Sequence, residues 1–285
     1  MRSRKFASAG AVALAASAVL TSAASASAVE ADAGPVASAR LIGGVPAPAS
    51  VTFVGALMFD AEREGVHDAL TCGSVVVGRQ WLLSAAQCVA DLGVPGEFPA
   101  KDKKFHVRVG SLDRTAGGST ANVDGIYLNP HWTGEVNPPR KAGDAVMLHV
   151  DRPLDVPVVR MAWWTPPPGS VQRTYSWGAT VPAAQPDRDK LPTMLQQLDL
   201  TVLPKPQCAD AGITNGEFCT SHKNGTGPAY GDAGGPTIVY DRHGRPYVTG
   251  LDSRGGSPVP GQANTAFTSV AAYRDWAEDV MDDHT

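Results

Sequence analysis

Apolar residues with the repeat of an amphipathic helix are almost absent before the last twenty residues, which excludes a helical bundle. No long basic run follows the first five residues and net charge is −4, so a nucleic-acid partner is not expected. Beyond the N-terminus no apolar stretch is long enough to span a bilayer as a helix. His-Glu-x-x-His spacing and phosphate-cradling glycine loops before a helix are missing too. The sequence therefore points to no metal and no cofactor. Cysteine is scarce: Cys72, Cys88, Cys208 and Cys219 are the four. In an exported chain they suggest two disulfides, for which sequence alone leaves three pairings open.

What is abundant is turn chemistry. Gly 30 and Pro 23, with 43% hydrophobic residues in 285, suit a turn-rich all-β fold with one or two cores. Short β-prone runs recur at Val51–Phe59, Phe105–Val109, Asn122–Leu128, Leu195–Val202, Pro236–Tyr240, Pro246–Asp252 and Thr265–Ser269. After Ser269 the period changes. Tyr273, Trp276, Ala277, Val280 and Met281 fall on one helical face, and Ser269 is placed to cap it.

The first residues have the layout of a secretory signal. Arg2, Arg4 and Lys5 precede an alanine-rich apolar run from Phe6 to Leu20, and Ala26-Ser27-Ala28 fits a cleavage site. Residues 1–28 are thus expected to be a signal peptide of bacterial style, and the protein to be secreted. Residues 29–40 are small, polar and propeptide-like. From Leu41 onward the chain lacks four basic and two acidic residues of the whole and carries −6.

Several ordered motifs carry a resemblance. Gly231-Asp232-Ala233-Gly234-Gly235-Pro236 resembles, at five of six positions, the nucleophile loop Gly-Asp-Ser-Gly-Gly-Pro of trypsin-like (chymotrypsin-fold) serine proteases. Cys72-Gly73-Ser74 followed by Trp81-Leu82-Leu83-Ser84-Ala85-Ala86-Gln87-Cys88 resembles that family's segment ending in Ala-Ala-His-Cys. Gly143-Asp144-Ala145-Val146-Met147-Leu148 resembles the segment with the triad aspartate, and Arg40-Leu41-Ile42-Gly43-Gly44 the zymogen activation site. The resemblance covers residues 41 to about 281. It implies an all-β fold of two antiparallel six-stranded Greek-key β-barrels with a C-terminal helix. Barrel 1 is expected at about 41–155, barrel 2 at about 156–269 and the helix at about 270–282.

The same resemblance implies disulfides Cys72–Cys88 and Cys208–Cys219, and triad positions Gln87, Asp144 and Ala233, of which only Asp144 is retained. A glutamine amide does not protonate near neutral pH, and a methyl group cannot form an acyl-enzyme. Asp144 is then expected to be a buried carboxylate bonded to the Gln87 amide and to Ser253. The backbone N–H groups of Gly231 and Ala233 are placed to form an oxyanion hole. The pocket is expected from Gly227, Tyr230, Ser253, Arg254 and Thr265. Gly227 stands where basic-specific members keep a carboxylate, and Arg254 is expected to repel a basic side chain. Arg40, Leu41 and Asp232 are the activation residues. None of His67, His106, His131, His149, His222, His243 and His284 sits where the family pattern needs one. For the adjacent Trp163 and Trp164 two readings stand, packing between barrels, which is favoured, and a binding surface.

Two functions follow. The first is a secreted, monomeric pseudoprotease: a binding or regulatory module taking a protein or peptide in its inter-barrel cleft. The alternative is a serine-type endopeptidase with unrecognised catalytic groups.

Overall fold

A computed structural model describes residues 41–90, 99–134, 143–183, 187, 190–222 and 225–284. The expected signal peptide, the segment 29–40 and Arg40 lie outside the described residues.

Strands in the first half are β1 (Val45–Pro46), β2 (Val54–Ala61), β3 (Val66–Gly78), β4 (Trp81–Ser84), β5 (Lys104–Val109), β6 (Ser119–Leu128) and β7 (Val146–Val150). The second half holds β8 (Arg160–Met161), β9 (Val171–Ser176), β10 (Gln196–Thr201), β11 (Glu217–Thr220), β12 (Pro236–Tyr240), β13 (Pro246–Gly255) and β14 (Thr265–Ser269), then helix α1 (Val270–Asp283). Closure removes the edges of the first sheet, whose strands run β2-β3-β4-β7-β6-β5 in a barrel. Leu57, Val76, Leu82, Val107 and Leu148 fill its centre. β6 is the strand that faces water, and its burial alternates accordingly.

The second sheet has the order β1-β10-β9-β12-β13-β14-β11, with β8 added in parallel to β13. Its six long strands do not ladder into a second closed barrel. Between β10 and β11 the described residues show a single bridge, Val202 to Thr220. Residues 42–46 also depart from the expected boundary. Val45 and Pro46 pair with Gln197 and Gln196, and Ile42 bridges Gly227, so this segment belongs to the second sheet. One cluster of buried side chains, including Phe53, Met147, Tyr175, Trp177 and Leu251, joins the two sheets.

The helix begins where the period changes, with Val270 and Ala277 buried against the core. Ser269 stands at the N-cap position without capping. Its hydroxyl shares a 2.8 Å hydrogen bond with that of Thr165. Two disulfides form, Cys72–Cys88 and Cys208–Cys219, with Cα separations of 6.0 and 5.8 Å. The first closes the turn that carries Gln87. Loop-closure entropy gives each a stabilisation of about 3 kcal/mol. Replacing both Cys72 and Cys88 by alanine is therefore expected to lower the urea midpoint by an amount equivalent to that loss. An unchanged midpoint would mean that the unfolded chain is not constrained by this bond.

Candidate functional site

Gln87 lies in the single turn Ala86–Cys88 that follows β4. Its main chain and its amide converge on one carboxylate. The backbone N–H donates to Asp144 Oδ1 at 3.0 Å, and Nε2 donates to Asp144 Oδ2 at 2.6 Å. Nε2 also donates to the carbonyl of Ser253 at 2.5 Å. Ser253 Oγ adds a 2.6 Å bond to Asp144 Oδ2. Asp144 is fully buried, so these donors replace its water. Both hydrogens of the Gln87 amide are committed, leaving no basic nitrogen to accept a proton.

Facing this group is the turn 229–235, shaped by glycine. Gly234 has φ +74, and a Cβ there would collide with Ser84 Oγ and Gly73 O, so a glycine is required on both counts. Ser84, the serine nearest Gln87 in the chain, donates its hydroxyl to Gly73 O at 2.7 Å. Gly231 and Ala233 line the cleft. Asp232 turns the other way, into the protein, and is 1% exposed. Its Oδ1 accepts from Gly178 N at 2.7 Å and its Oδ2 from Ala229 N at 2.7 Å. Burial pushes its carboxyl up to about 7, against the opposing pull of the Ala229 N–H, the Ser176 hydroxyl and the Gly178 N–H. Leu41 is fully buried and carries φ +55, a conformation costly for a branched side chain.

The cleft encloses about 420 Å³. Tyr230, Ser253, Arg254 and Thr265 line it as expected from sequence, whereas Gly227 is not part of the wall and pairs its backbone with Ile42. Arg254 does not present a free charge to the cleft. Its Nη1 and Nη2 meet Glu217 Oε1 and Oε2 at 2.6 and 2.9 Å, and Nη2 also donates to Gly212 O at 2.9 Å. The expected repulsion of a basic ligand is therefore cancelled by Glu217, 37 residues away in the chain. Both partners are buried, so removing one leaves an uncompensated charge. Glu217→Ala is expected to cost about 3 kcal/mol in urea unfolding, whereas replacing both with apolar residues of similar volume is expected to be near neutral. Equal losses in the two variants would overturn that reading of the pair.

Sequence reasoning passed over two residues here: Glu217, and Asp252 on the cleft wall beside Ser253. It also misplaced the tryptophans. Trp163 is 66% exposed and forms, with Trp164 and Tyr247, an aromatic cluster on the surface of the second sheet. Among the described residues no histidine lines the cleft. His106 Nε2 is 2.9 Å from Asp68, and His149 Nδ1 is 2.6 Å from Asp124, both in other surroundings.

The family model described as Trypsin matches residues 41–277. Human (Homo sapiens) kallikrein-5 is 26% identical over 223 residues, covering 74% of this chain and 68% of that protein. Glandular kallikrein of Sus scrofa is 26% identical over 241 residues, covering 75% and 87%. Among solved structures, neuropsin, a serine protease expressed in the limbic system of mouse brain, superposes with a TM-score of 0.67. It is 24% identical, over 84% of this chain and 98% of that one, a likeness that shows the fold.

Proposed function

We infer function from one premise, that this chain belongs to the trypsin family. Our reading is of a secreted, non-catalytic member, a binding or regulatory module that receives a protein or peptide in the cleft between its two sheets. Gln87, Asp144 and Ala233 occupy the triad positions. The observation that carries this reading is the Gln87 amide, whose Nε2 bonds both Asp144 and the Ser253 carbonyl. In an active member the residue at that position takes the proton of the serine and returns it to the leaving group. An amide with both hydrogens committed does neither, and Ala233 supplies no proton to take.

No described residue accepts from the N–H of Gly231 or Ala233, and both line the cleft. They are suited to hold a ligand carbonyl oxygen without activating it. Of the hydroxyls on the wall, that of Ser253 is committed as a donor to Asp144, which disfavours Ser253 as a relocated nucleophile. Two disulfides fit an oxidising compartment and support export. No described helix is long and apolar enough to cross a membrane.

The test is a fluorophosphonate probe directed at activated serines. Pure protein is expected to remain unlabelled beside an active trypsin. Stoichiometric labelling that maps to a serine of this chain would establish the endopeptidase reading instead.

A further inference from the structure

Three strands of the first barrel bring metal-ligating side chains together. Asp60 comes from β2, Asp68 from β3 and His106 from β5, and a donor atom of each lies within 4.8 Å of the others. Because the residues sit on different strands, no spacing motif marks them in the sequence. The β2–β3 register shifts between Phe59 and Ala61, so that Asp60 stands against both His67 and Asp68. On the other side of β2, pairing with β5 sets His106 opposite Met58, two residues before Asp60.

His106 is the centre of the group. It is 8% exposed, and each of its ring nitrogens faces a carboxylate. Nε2 is 2.9 Å from Asp68 Oδ1. Nδ1 is 4.0 Å from Asp60 Oδ2, beyond hydrogen-bond reach, and has no other partner among the described residues. Asp60 Oδ1 accepts from the Asp68 N–H at 2.9 Å and lies 3.9 Å from His67 Nδ1. Among the described residues no lysine or arginine pairs with either carboxylate. Lys104, the neighbouring cation on β5, is held by Glu62 at 2.6 Å. Two carboxylates and a buried imidazole nitrogen therefore converge without a cation to answer them. Carboxylate oxygens and imidazole nitrogens are a donor set that zinc takes. No thiolate competes for the metal, since all four cysteines are in disulfides.

We propose that Asp60, Asp68 and His106 form a zinc site. A fourth position is left for water or for His67, whose side chain stands exposed beside Asp60. This inference is independent of the reading of the cleft. Its consequence is mechanical. β3 runs on from Asp68 to Thr71 and Cys72 of the cleft wall, so the metal ties the start of that strand to β2 and β5.

The experiment is calorimetric titration of the untagged protein with zinc chloride, with calcium and magnesium chlorides for comparison. One equivalent of zinc is expected to bind, at least about hundredfold tighter than either alkaline-earth ion. Zinc should also raise the urea midpoint. Cobalt(II) in its place should show the strong visible absorption of a four-coordinate ion. Asp68→Asn and His106→Gln are each expected to remove that band and to weaken zinc at least about hundredfold. Loss of a group that merely orients a ligand already costs about 10–100-fold. Should the buried His106 variant fail to fold, the Asp68 variant keeps the test intact. Asp68 is exposed, and asparagine tolerates the left-handed φ of +50 found there. No saturable zinc binding would overturn the proposal. So would calcium or magnesium binding as tightly as zinc, or a zinc affinity that survives these substitutions. None of these results bears on the non-catalytic reading, which fails instead by hydrolysis or fluorophosphonate labelling.

Discussion

Purified protein is expected to hydrolyse casein and fluorogenic peptides no faster than buffer. The size of the deficit follows from how triads work. In subtilisin, loss of the serine or the histidine alone costs roughly 10⁶-fold in kcat, and loss of all three members costs about the same. What survives there is about 10³–10⁴-fold over water, from the oxyanion hole and binding. On the proposed reading, Gln87 and Ala233 leave this chain no more than such a remnant, too small to register above the buffer rate. Because the two groups act as a unit, Gln87→His alone or Ala233→Ser alone is expected to change nothing measurable. Activity that follows the protein peak of the unmodified chain through chromatography would contradict the proposal. A gain from one restoration alone would show that its partner position is already served.

The second large effect concerns Asp232 and the bond after Arg40. In the family this cut frees an amine that pairs with the aspartate before the nucleophile; the counterparts we propose in this chain are Leu41 and Asp232. In the uncut chain, burial holds the Asp232 carboxyl at about 7. A carboxyl raised above its unfolded value favours folding while neutral. That advantage is complete below about pH 4 and is lost as pH rises through about 7. The difference amounts to about 4 kcal/mol across that window. A protonated Leu41 amine reverses the sign, because it favours the carboxylate. Urea unfolding of an Arg40→Ala chain is therefore expected to show stability falling between pH 4 and 8. Chain cut after Arg40 should lose far less. Asp252, whose buried carboxyl is also raised, contributes a falling component to both forms, so the difference between them is the informative quantity. Superimposable profiles would show that cleavage brings no charge to Asp232.

The fold was legible because its signals are local. Trp81–Ser84 is a short apolar run fully buried on both faces, and Pro236–Tyr240 and Thr265–Ser269 form strands at the bounds their patterning suggests. Harder to see were Val45–Pro46 and Arg160–Met161, two-residue strands that exist only through partners distant in sequence. The site divides along the same line. Motifs mark the neighbourhoods of Gln87, Asp144 and Ala233, but no motif announces that Glu217 reaches across to Arg254. Asp252 lies inside a recognised segment, where attention falls on the serine beside it. Its Oδ1 is buried without a hydrogen-bond partner, a property of packing that is invisible until the wall is built. Trp163 misled for the opposite reason. A large aromatic usually seeks the interior, yet this one meets Trp164 and Tyr247 edge to face at the surface.

Gln87 also has a mechanical role. Its turn is tethered to the barrel by Cys72–Cys88, while its amide grips the main chain of Ser253 in the opposite sheet. The contact is a rivet across the cleft floor. An imidazole in its place would change charge near neutral pH and with it the strength of its hold; an amide keeps the same grip from acid to alkaline. A visiting side chain then meets walls whose spacing is already set, and little of its binding energy is diverted into drawing them together.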